Sequence, residues 1–454
     1  MTPRLEPAAR GLLCVALVVL VHGFAPPPDS LRLGLALFAL IGALWISQAL
    51  HLAVTALLVP LLAALAGLMD VRSALSSFAN PVIFLFLGGF ALAAALQAHR
   101  LDRALALAML RLARGRRPLA VLLLFGLTAV LSLWMSNTAT AAMMLPLALG
   151  LLQDSTRDGT SQGRAVGPRE TAFVLLGLAY SASIGGIGTL VGSPPNAIAA
   201  AQAGIGFAQW LRIGLPLVAL LLPLMVGVLY VLLRPQLGGR VSLAHEPLDW
   251  TRERRLVVLI FALTAGGWVA GAPIGRLLGV EADIDSVIAV AAIVALAATG
   301  AVPWPEIERR TQWGVLLLFG GGLALSQAMS ASGASQFLGG QVVEWLKGAP
   351  AFLVLLGVVA FVVFLTELVS NTATAALLVP IFLGVGATMG LSPVVLAASI
   401  AVSSSCAFML PVATPPNAIA FATGQVPQST MVTCGLALNL VCIAVITAVV
   451  PWLV

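Results

Sequence analysis

Long apolar stretches, separated by short polar breaks, follow one another along almost the whole chain. They lie near 11–24, 31–51, 53–69, 80–98, 171–201, 209–233, 256–275, 285–302 and 312–330. Most approach the roughly 20 residues that an α-helix needs to cross a bilayer. The pattern predicts an all-α polytopic membrane protein in which no polar stretch is long enough for a separate soluble domain.

Two further apolar blocks, 118–152 and 351–390, are longer than one helical span and contain the same polar string. Ser-Asn-Thr-Ala-Thr-Ala-Ala occurs at 136–142 and again at 370–376. Basic loops flank the first block at both ends, whereas a single helix would put its ends on opposite sides of the membrane. Each block is therefore predicted to be a re-entrant hairpin of two half-length helices, with Ser-Asn-Thr at the tip.

Composition and charge agree with a membrane protein and predict its orientation. Hydrophobic residues make up 60% of the 454 residues and charged residues 9%, too few for the surface of a soluble globule. The net charge of +6 does not indicate a nucleic-acid partner, because the basic residues lie in short loops. By the positive-inside rule the arginine-rich loops and the N-terminus are cytoplasmic. The basic residues left on the outside are Arg32, Arg72, Arg212, Arg276 and Lys347.

Two more duplications accompany the hairpins. Leu-Phe-Leu-Gly-Gly at 85–89 is similar to Leu-Leu-Phe-Gly-Gly at 317–321, and Pro-Pro-Asn-Ala-Ile-Ala occurs at 194–199 and at 415–420. Each proline pair removes backbone donors inside an apolar block and so predicts a broken helix with free N–H and carbonyl groups. Since the loop charges orient the hairpins oppositely, the sequence predicts an inverted-repeat transporter.

The predicted tips carry neutral oxygens and amides and no charge. Their side chains are Ser136, Asn137, Thr138, Ser370, Asn371 and Thr372. A further hydroxyl, Ser132 or Thr366, stands four residues before each tip serine on the same helical face. Such groups can ligate sodium and donate hydrogen bonds to a carboxylate. Because no arginine or lysine is near, an anionic substrate would need helix dipoles and co-bound sodium for neutralisation.

These residues also have interpretations other than a binding site. A single Ser-Asn-Thr string would indicate helix packing, but duplication in opposite orientation favours a site. Glu367, an acid well inside a span, has either a structural hydrogen-bonding role or a role with a cation or proton; its counterpart in the first half is Leu133. The scattered histidines and this one acid do not make an active site, so an enzyme is not expected. The glycine clusters at 88–89 and 320–322 predict close helix packing rather than a phosphate loop.

The paired motifs resemble those of the divalent-anion:sodium symporter family, the INDY-type carboxylate transporters. The resemblance is carried by both Ser-Asn-Thr strings, Gly-Ser-Pro-Pro-Asn at 192–196, the segment 404–417, Thr-Ala-Leu-Leu-Val-Pro at 55–60 and Ile-Phe-Leu-Phe-Leu-Gly-Gly at 83–89. It implies eleven transmembrane helices, two re-entrant hairpins, a homodimer and an elevator-type mechanism. It also implies scaffold helices at 1–115 and 236–345, and transport-domain halves at 116–235 and 346–454.

Residue by residue, the resemblance implies a first sodium site at Ser132, Ser136, Asn137 and Gly192, and a second at Thr366, Ser370, Asn371 and Ala413. The implied substrate contacts are Ser136, Asn137, Thr138, Ser193, Pro194, Ser370, Asn371, Thr372, Thr414 and Pro415. The chain departs from the family pattern at Gln48, where relatives often have glutamate, and at Ser193, where threonine is frequent. The second departure bears on substrate preference.

Family members with Ser-Asn-Thr at both tips carry four-carbon dicarboxylates. The expected function is therefore sodium-coupled uptake of succinate, malate or fumarate across a bacterial inner membrane. The expected partners are the dicarboxylate, sodium ions at two or more sites, membrane lipid and a second copy of the chain. A dicarboxylate exchanger without net sodium coupling and a carrier of citrate or sulfate on the same fold stay open as alternatives.

Overall fold

The chain folds into helices throughout the part that the computed structural model describes, residues 7–153, 167–238, 249–280, 282–345 and 348–454. This confirms the predicted all-α class. Part of the predicted orientation rests on Arg157, Arg164, Arg240 and Lys347, which lie outside the described residues. The orientation in the membrane therefore stays a prediction.

The order of helices repeats in the two halves of the chain. The first half contains α1 (Pro7–Phe24), α2 (Asp29–Ser47), α3 (Leu52–Leu65), α4 (Val71–Ser76), a 3-10 helix (Ser77–Ala79), α5 (Pro81–Ala98), α6 (Leu101–Arg111), α7 (Arg117–Ser132), α8 (Asn137–Gln153), α9 (Pro168–Gly186), α10 (Pro194–Ala203) and α11 (Phe207–Leu233). The second half contains α12 (Arg252–Val269), α13 (Gly271–Leu278), α14 (Ile284–Ala298), α15 (Trp304–Arg310), α16 (Trp313–Ser332), α17 (Ala334–Trp345), α18 (Ala351–Leu365), α19 (Asn371–Met389), α20 (Pro393–Ser404), α21 (Pro415–Ala422) and α22 (Gln428–Leu453).

Each predicted hairpin is a pair of helices joined by a short tip. α7 ends at Ser132 and α8 begins at Asn137, while α18 ends at Leu365 and α19 begins at Asn371. The arms of the first hairpin pack on each other, whereas both arms of the second pack on α20. The helix breaks predicted at the two Ser-Asn-Thr strings are confirmed.

The two proline pairs also begin new helices, as predicted. α10 starts at Pro194 and α21 at Pro415, each after an unwound segment that follows α9 or α20. Proline suits the first turn of a helix, where its missing N–H would have no intrahelical partner in any case. The breaks put backbone carbonyl groups outside the regular hydrogen bonding of a helix.

The structure differs from the predicted helices in two respects. Block 256–275 was predicted as one span, but α12 ends at Val269 and α13 leaves it at an angle of 86°. The bend follows because Pro273 has no N–H for the carbonyl four residues earlier, and Gly271 lowers the helix propensity. The connections after α5 and α16 also contain the helices α6 and α17, which are too short and too polar to stand out as spans.

Five helical stretches in the described residues are long and apolar enough to cross a membrane, or six if the bent pair counts as one span. The five are Asp29–Ser47, Val71–Ala98, Phe207–Leu233, Trp313–Ser332 and Gln428–Leu453. Both hairpins consist of shorter apolar helices, and α3, α14 and α20 are short apolar helices as well. Half-length helices are expected at re-entrant hairpins and broken spans.

The helices pack in two groups that adjoin along α10, α16, α17 and α19. α7 to α11 pack with one another and with α18 to α22, whereas α2, α3, α5, α12, α14, α15 and α16 form the other group. Within the first group, Tyr180 of α9 donates a hydrogen bond of 2.8 Å to the Phe408 carbonyl and so joins the two sequence halves. The expected division into scaffold and transport parts concerns motion and stays a prediction.

The glycine clusters of α5 and α16 sit where helices approach closely. A Cβ added to Gly88 would lie 2.6 Å from the Ala289 Cβ, and one added to Gly321 would lie 2.6 Å from the Ala56 Cβ. Real Cβ atoms do not come this close, so only glycine permits the contact. The prediction of close packing rather than a phosphate loop is confirmed.

Candidate functional site

At the first tip, oxygen atoms from α7, α8 and α9 converge on one point. The Ser132 hydroxyl lies 2.7 Å from both Asn137 Oδ1 and the Ala182 carbonyl oxygen. A hydroxyl has one proton and cannot satisfy two acceptors fully. Ser132 is completely buried, so bulk solvent does not reach its hydroxyl. An oxygen-rich, donor-poor point beside a helix break suits a sodium ion.

The unwound segment after α9 completes this first tip. A Cβ on Gly192 would lie 2.6 Å from the Gly186 carbonyl oxygen and 2.9 Å from that of Ser132, so only glycine allows the approach. The Asn196 side chain donates to the Gly186 and Thr189 carbonyls at 2.9 and 2.7 Å, which holds the segment in its unwound shape. The Gly186 and Ser132 carbonyl oxygens thereby lie side by side next to Gly192.

The second tip repeats the arrangement with different residues. The Thr366 hydroxyl lies 2.8 Å from Asn371 Oδ1 and 2.9 Å from the Ser404 carbonyl oxygen. Asn417, the equivalent of Asn196, donates to the Ala407 and Leu410 carbonyls at 3.1 Å each. Two segments far apart in sequence thus form matching oxygen clusters, one for each predicted sodium site.

Both tips face a single cavity of about 310 Å³. The residues predicted to contact the substrate all line it: Ser136, Asn137, Thr138, Ser193, Pro194, Ser370, Asn371, Thr372, Thr414 and Pro415. Gly192 and Ala413 line it as well, whereas Ser132 and Thr366 are fully buried behind the tips. The structure therefore brings the predicted residues together, while their roles as ligands remain predictions.

The cavity wall has no formal charge among its described residues. The helices α8, α10, α19 and α21 all begin at this wall, so their dipoles supply partial positive charge there. α10 and α21 each begin with two prolines, which have no backbone N–H, whereas α8 and α19 begin with residues that have backbone N–H groups. A carboxylate can accept hydrogen bonds from these groups and from the tip hydroxyls and amides. The electrostatics suit an anion that enters together with cations.

The opposite wall comes from the other group of helices, and most of it was not predicted from the sequence. It consists of Gln48, Phe86, Phe90, Gln312 and Val315. The sequence had marked Gln48 only as a departure from the family pattern; it has a left-handed backbone, with φ of 51°, at the end of α2. The signal for Phe86 was its place in the duplicated Leu-Phe-Leu-Gly-Gly string.

Glu367 lies beside the second tip and accepts hydrogen bonds from four donors. Its Oε1 accepts from the backbone N–H groups of Phe408 and Met409 at 2.7 and 2.9 Å and from Asn439 Nδ2 at 2.8 Å. Its Oε2 accepts from the Leu410 N–H at 3.1 Å. Of the two roles left open for Glu367, this geometry supports the structural one, which ties the unwound segment after α20 to the tip.

The chain is similar to known transporters over nearly its full length. The model of a family described as citrate transporter matches residues 42–401 and 286–454. A Haemophilus influenzae protein named only as an uncharacterized transporter is 49% identical over 430 residues, which cover 93% of this chain and 91% of that protein. The sodium-dependent dicarboxylate transporter SdcS of Staphylococcus saprophyticus is 33% identical over 447 residues, covering 92% of this chain and 85% of SdcS.

Solved transporter structures share the fold at lower identity. The Alcanivorax borkumensis YdaH transporter aligns with a TM-score of 0.58 and 17% identity over 98% of both chains. Neisseria gonorrhoeae MtrF, from a class of antimetabolite efflux pumps, aligns with a TM-score of 0.52 and 18% identity over 86% of this chain and 83% of MtrF. At identities this low, the two structural matches show a shared fold and nothing about function. On the sequence matches, the chain belongs to the citrate transporter family and is a membrane transporter of the divalent-anion:sodium symporter type.

Proposed function

We propose that the protein couples sodium influx to the uptake of C4-dicarboxylates such as succinate, malate and fumarate. The observation that carries this proposal is the pair of matching oxygen clusters, at Ser132 and at Thr366, on either side of one uncharged cavity. Two cations bound behind the tips would offset the two charges of a dicarboxylate, which otherwise has no basic side chain to pair with. The sodium-dependent dicarboxylate transporter relatives support the same assignment.

In this proposal each tip binds one end of the substrate. Asn137 and Asn371 contribute their side-chain oxygen to sodium and their N–H groups to a carboxylate, so each asparagine contacts both ligands. Thr138, Thr372, Ser193 and Thr414 supply further hydroxyl donors around the cavity. Binding of sodium therefore organises the groups that bind the dianion, which is a physical basis for coupling.

The proposed membrane layout has eleven transmembrane helices and two re-entrant hairpins, a cytoplasmic N-terminus, and a homodimer in a bacterial inner membrane. Gln312, which lines the cavity, closely follows Arg309 and Arg310 at the end of α15. The positive-inside rule puts these arginines in the cytoplasm. We accordingly take the cavity to be open to the cytoplasmic side, and transport to require an elevator-type movement of α7 to α11 with α18 to α22.

Citrate is the second candidate substrate, because the matching family model is described as a citrate transporter. Citrate carries one carboxylate more than succinate, and the cavity has no charged side chain to receive it. Succinate has two carboxylates, one for each tip, and needs no third anion-binding group. Competition by citrate against labelled succinate compares the two directly.

Uptake of labelled succinate into proteoliposomes tests the proposed function. With sodium outside and potassium inside, we expect accumulation above equilibrium that disappears when sodium is replaced by potassium on both sides. Vesicles loaded with unlabelled succinate, with potassium in place of sodium on both sides, serve as the matched comparison for exchange. Uptake driven by internal succinate alone would contradict sodium coupling and favour the exchanger.

A further inference from the structure

An apolar cavity of about 460 Å³ lies between α6, the end of α7 with the first tip, and the start of α12. Every described residue of its wall is apolar, among them Leu105 of α6, Val130 of α7 and Val258 of α12. A bound water needs several polar partners, which this wall does not offer. The cavity therefore suits a hydrocarbon occupant.

The cavity is open at its side rather than sealed. Leu105, Val130 and Val258 line it and are each between 39% and 44% exposed. Both α7, a short apolar helix, and α12, the first part of the bent span, belong to the membrane part of the chain. At this depth the surrounding medium is the bilayer, so the hydrocarbon that reaches the cavity is an acyl chain.

Two arginines meet at one end of this apolar cavity. Arg254 Nε donates a hydrogen bond of 3.2 Å to the His99 carbonyl oxygen and so ties the start of α12 to the end of α5. The next residues in the chain, Arg255 and Arg100, are thereby brought to the same end, and both are exposed. Neither has an ion pair with a residue that the structure describes. Two positive charges are thus available to an anion there.

The arginine end and the apolar wall are continuous along α12. Arg255, Val258 and Phe261 follow one another at intervals of three residues, so they are neighbours on the helix surface. The rise from the first to the last of them is about 9 Å. Trp250 lines the same end and is 54% exposed, and tryptophan favours the level of the lipid headgroups. A phosphate at Arg255 would place its acyl chain along the apolar wall.

The inner end of the cavity reaches the first tip. Trp134 lines the cavity and stands two residues before Ser136. Its ring is parallel to that of Trp268 within 8°, with the centroids 6.2 Å apart, and meets Phe261 edge-on at 5.0 Å. Trp134 does not line the substrate cavity. A hydrocarbon chain in the apolar cavity therefore contacts the tip segment without entering the substrate cavity, and supplies the dispersion contacts that an empty space would lack.

We propose that this cavity binds one acyl chain of an anionic phospholipid, whose phosphate is bound by Arg100 and Arg255. Basic pockets between helices on the cytoplasmic side are a known way of holding anionic headgroups. In the proposed layout this end of α5 and α12 faces the cytoplasm. The inference goes beyond the proposed function, because lipid binding here needs neither sodium nor a dicarboxylate. It makes the lipid composition a determinant of how the first tip is supported.

Lipid binding to the purified protein in a neutral detergent tests the inference. Native mass spectrometry counts the phospholipids bound per chain when phosphatidylglycerol or phosphatidylcholine with the same acyl chains is added. Ala104→Trp puts an indole into the cavity, and Arg255→Gln removes one of the two charges. Leu263→Trp, at a 65% exposed position of α12 outside the cavity wall, and Arg72→Gln, at an exposed arginine of α4, are the matched controls.

We expect the wild type to retain one more phosphatidylglycerol per chain than Ala104→Trp, and to bind it about tenfold or more tightly than phosphatidylcholine. Arg255→Gln should lose about fivefold in affinity for phosphatidylglycerol, the usual effect of one arginine at a membrane surface. Both controls should bind as the wild type does. The unfolding temperature of each variant establishes that it is folded.

Equal retention of phosphatidylglycerol by the wild type and folded Ala104→Trp would overturn the inference, as would equal affinity of the wild type for the two lipids. If Ala104→Trp does not fold, Arg255→Gln decides, and an unchanged affinity for phosphatidylglycerol in that variant shows the inference to be wrong. The measurement contains no sodium gradient and no dicarboxylate. Its result is therefore independent of whether the protein takes up succinate.

Discussion

Asn137→Ala is expected to reduce sodium-driven succinate uptake by about tenfold or more, and Asn371→Ala by a similar factor. Each substitution removes the amide oxygen that lies 2.7 or 2.8 Å from the Ser132 or Thr366 hydroxyl. It also removes the amide N–H groups at the cavity. Losing a buried polar partner costs roughly 1–3 kcal/mol, which corresponds to about five- to 150-fold in an equilibrium constant. Initial rates in proteoliposomes over a range of sodium concentrations measure the effect.

Both variants should need more sodium for half-maximal uptake, because the removed atom belongs to a sodium site as well as to the substrate cavity. Gln425→Ala is the matched control, since it removes an exposed amide in the loop after α21. Unfolding temperature and elution volume establish that each variant is folded. Retained uptake in folded Asn137→Ala and Asn371→Ala would refute the assignment of the site.

Glu367→Gln is expected to lower uptake at limiting sodium by on the order of tenfold and to lower the unfolding temperature. All four partners of the Glu367 carboxyl group are donors. A glutamine can place its oxygen where three of them meet, but its amide N–H groups then face the Leu410 N–H. The lost hydrogen bond and the two opposed donors cost roughly 1–3 kcal/mol. The unwound segment after α20, which supplies Ala413 of the predicted second sodium site, then loosens.

Asn439→Ala is the control for this prediction, because it removes one donor and leaves the three backbone N–H groups in place. Its effect should be clearly smaller than that of Glu367→Gln. If Glu367 carried a proton instead, Glu367→Gln would keep sodium-driven uptake and abolish its dependence on pH. Uptake rates at several pH values, measured in the same vesicles, distinguish the two roles.

Much of the fold followed from features that depend on local sequence. The break at Ser132 to Asn137 was predictable because a block of that length with basic loops at both ends cannot be one span. The break at Leu365 to Asn371 was predictable because the second long block carries the same Ser-Asn-Thr string. The starts of α10 and α21 were predictable because proline has a fixed place in a helix. The duplication predicted that the two tips lie together, since two copies of one string in opposite orientation meet in an inverted repeat.

Features that depend on tertiary contact were not predictable from the sequence. The Ala182 and Ser404 groups that complete the two oxygen clusters are backbone carbonyls, which every residue has, so side-chain chemistry did not mark them. Glu367 could have bound a cation, and only the position of the backbone N–H groups around it favours the structural role. Gln312 and Val315 face the tips because of how α16 packs, which periodicity alone does not specify.

We propose above all that the two tips form one site in which sodium and a dicarboxylate bind together. Equilibrium binding of labelled succinate to the purified protein in detergent, in sodium chloride and in potassium chloride of equal concentration, tests it without any assumption about movement. We expect sodium to raise the affinity for succinate by about tenfold or more, within the range usual for coupled sites, and succinate to raise the affinity for sodium by the same factor. Equal affinity for succinate in the two salts would contradict the account.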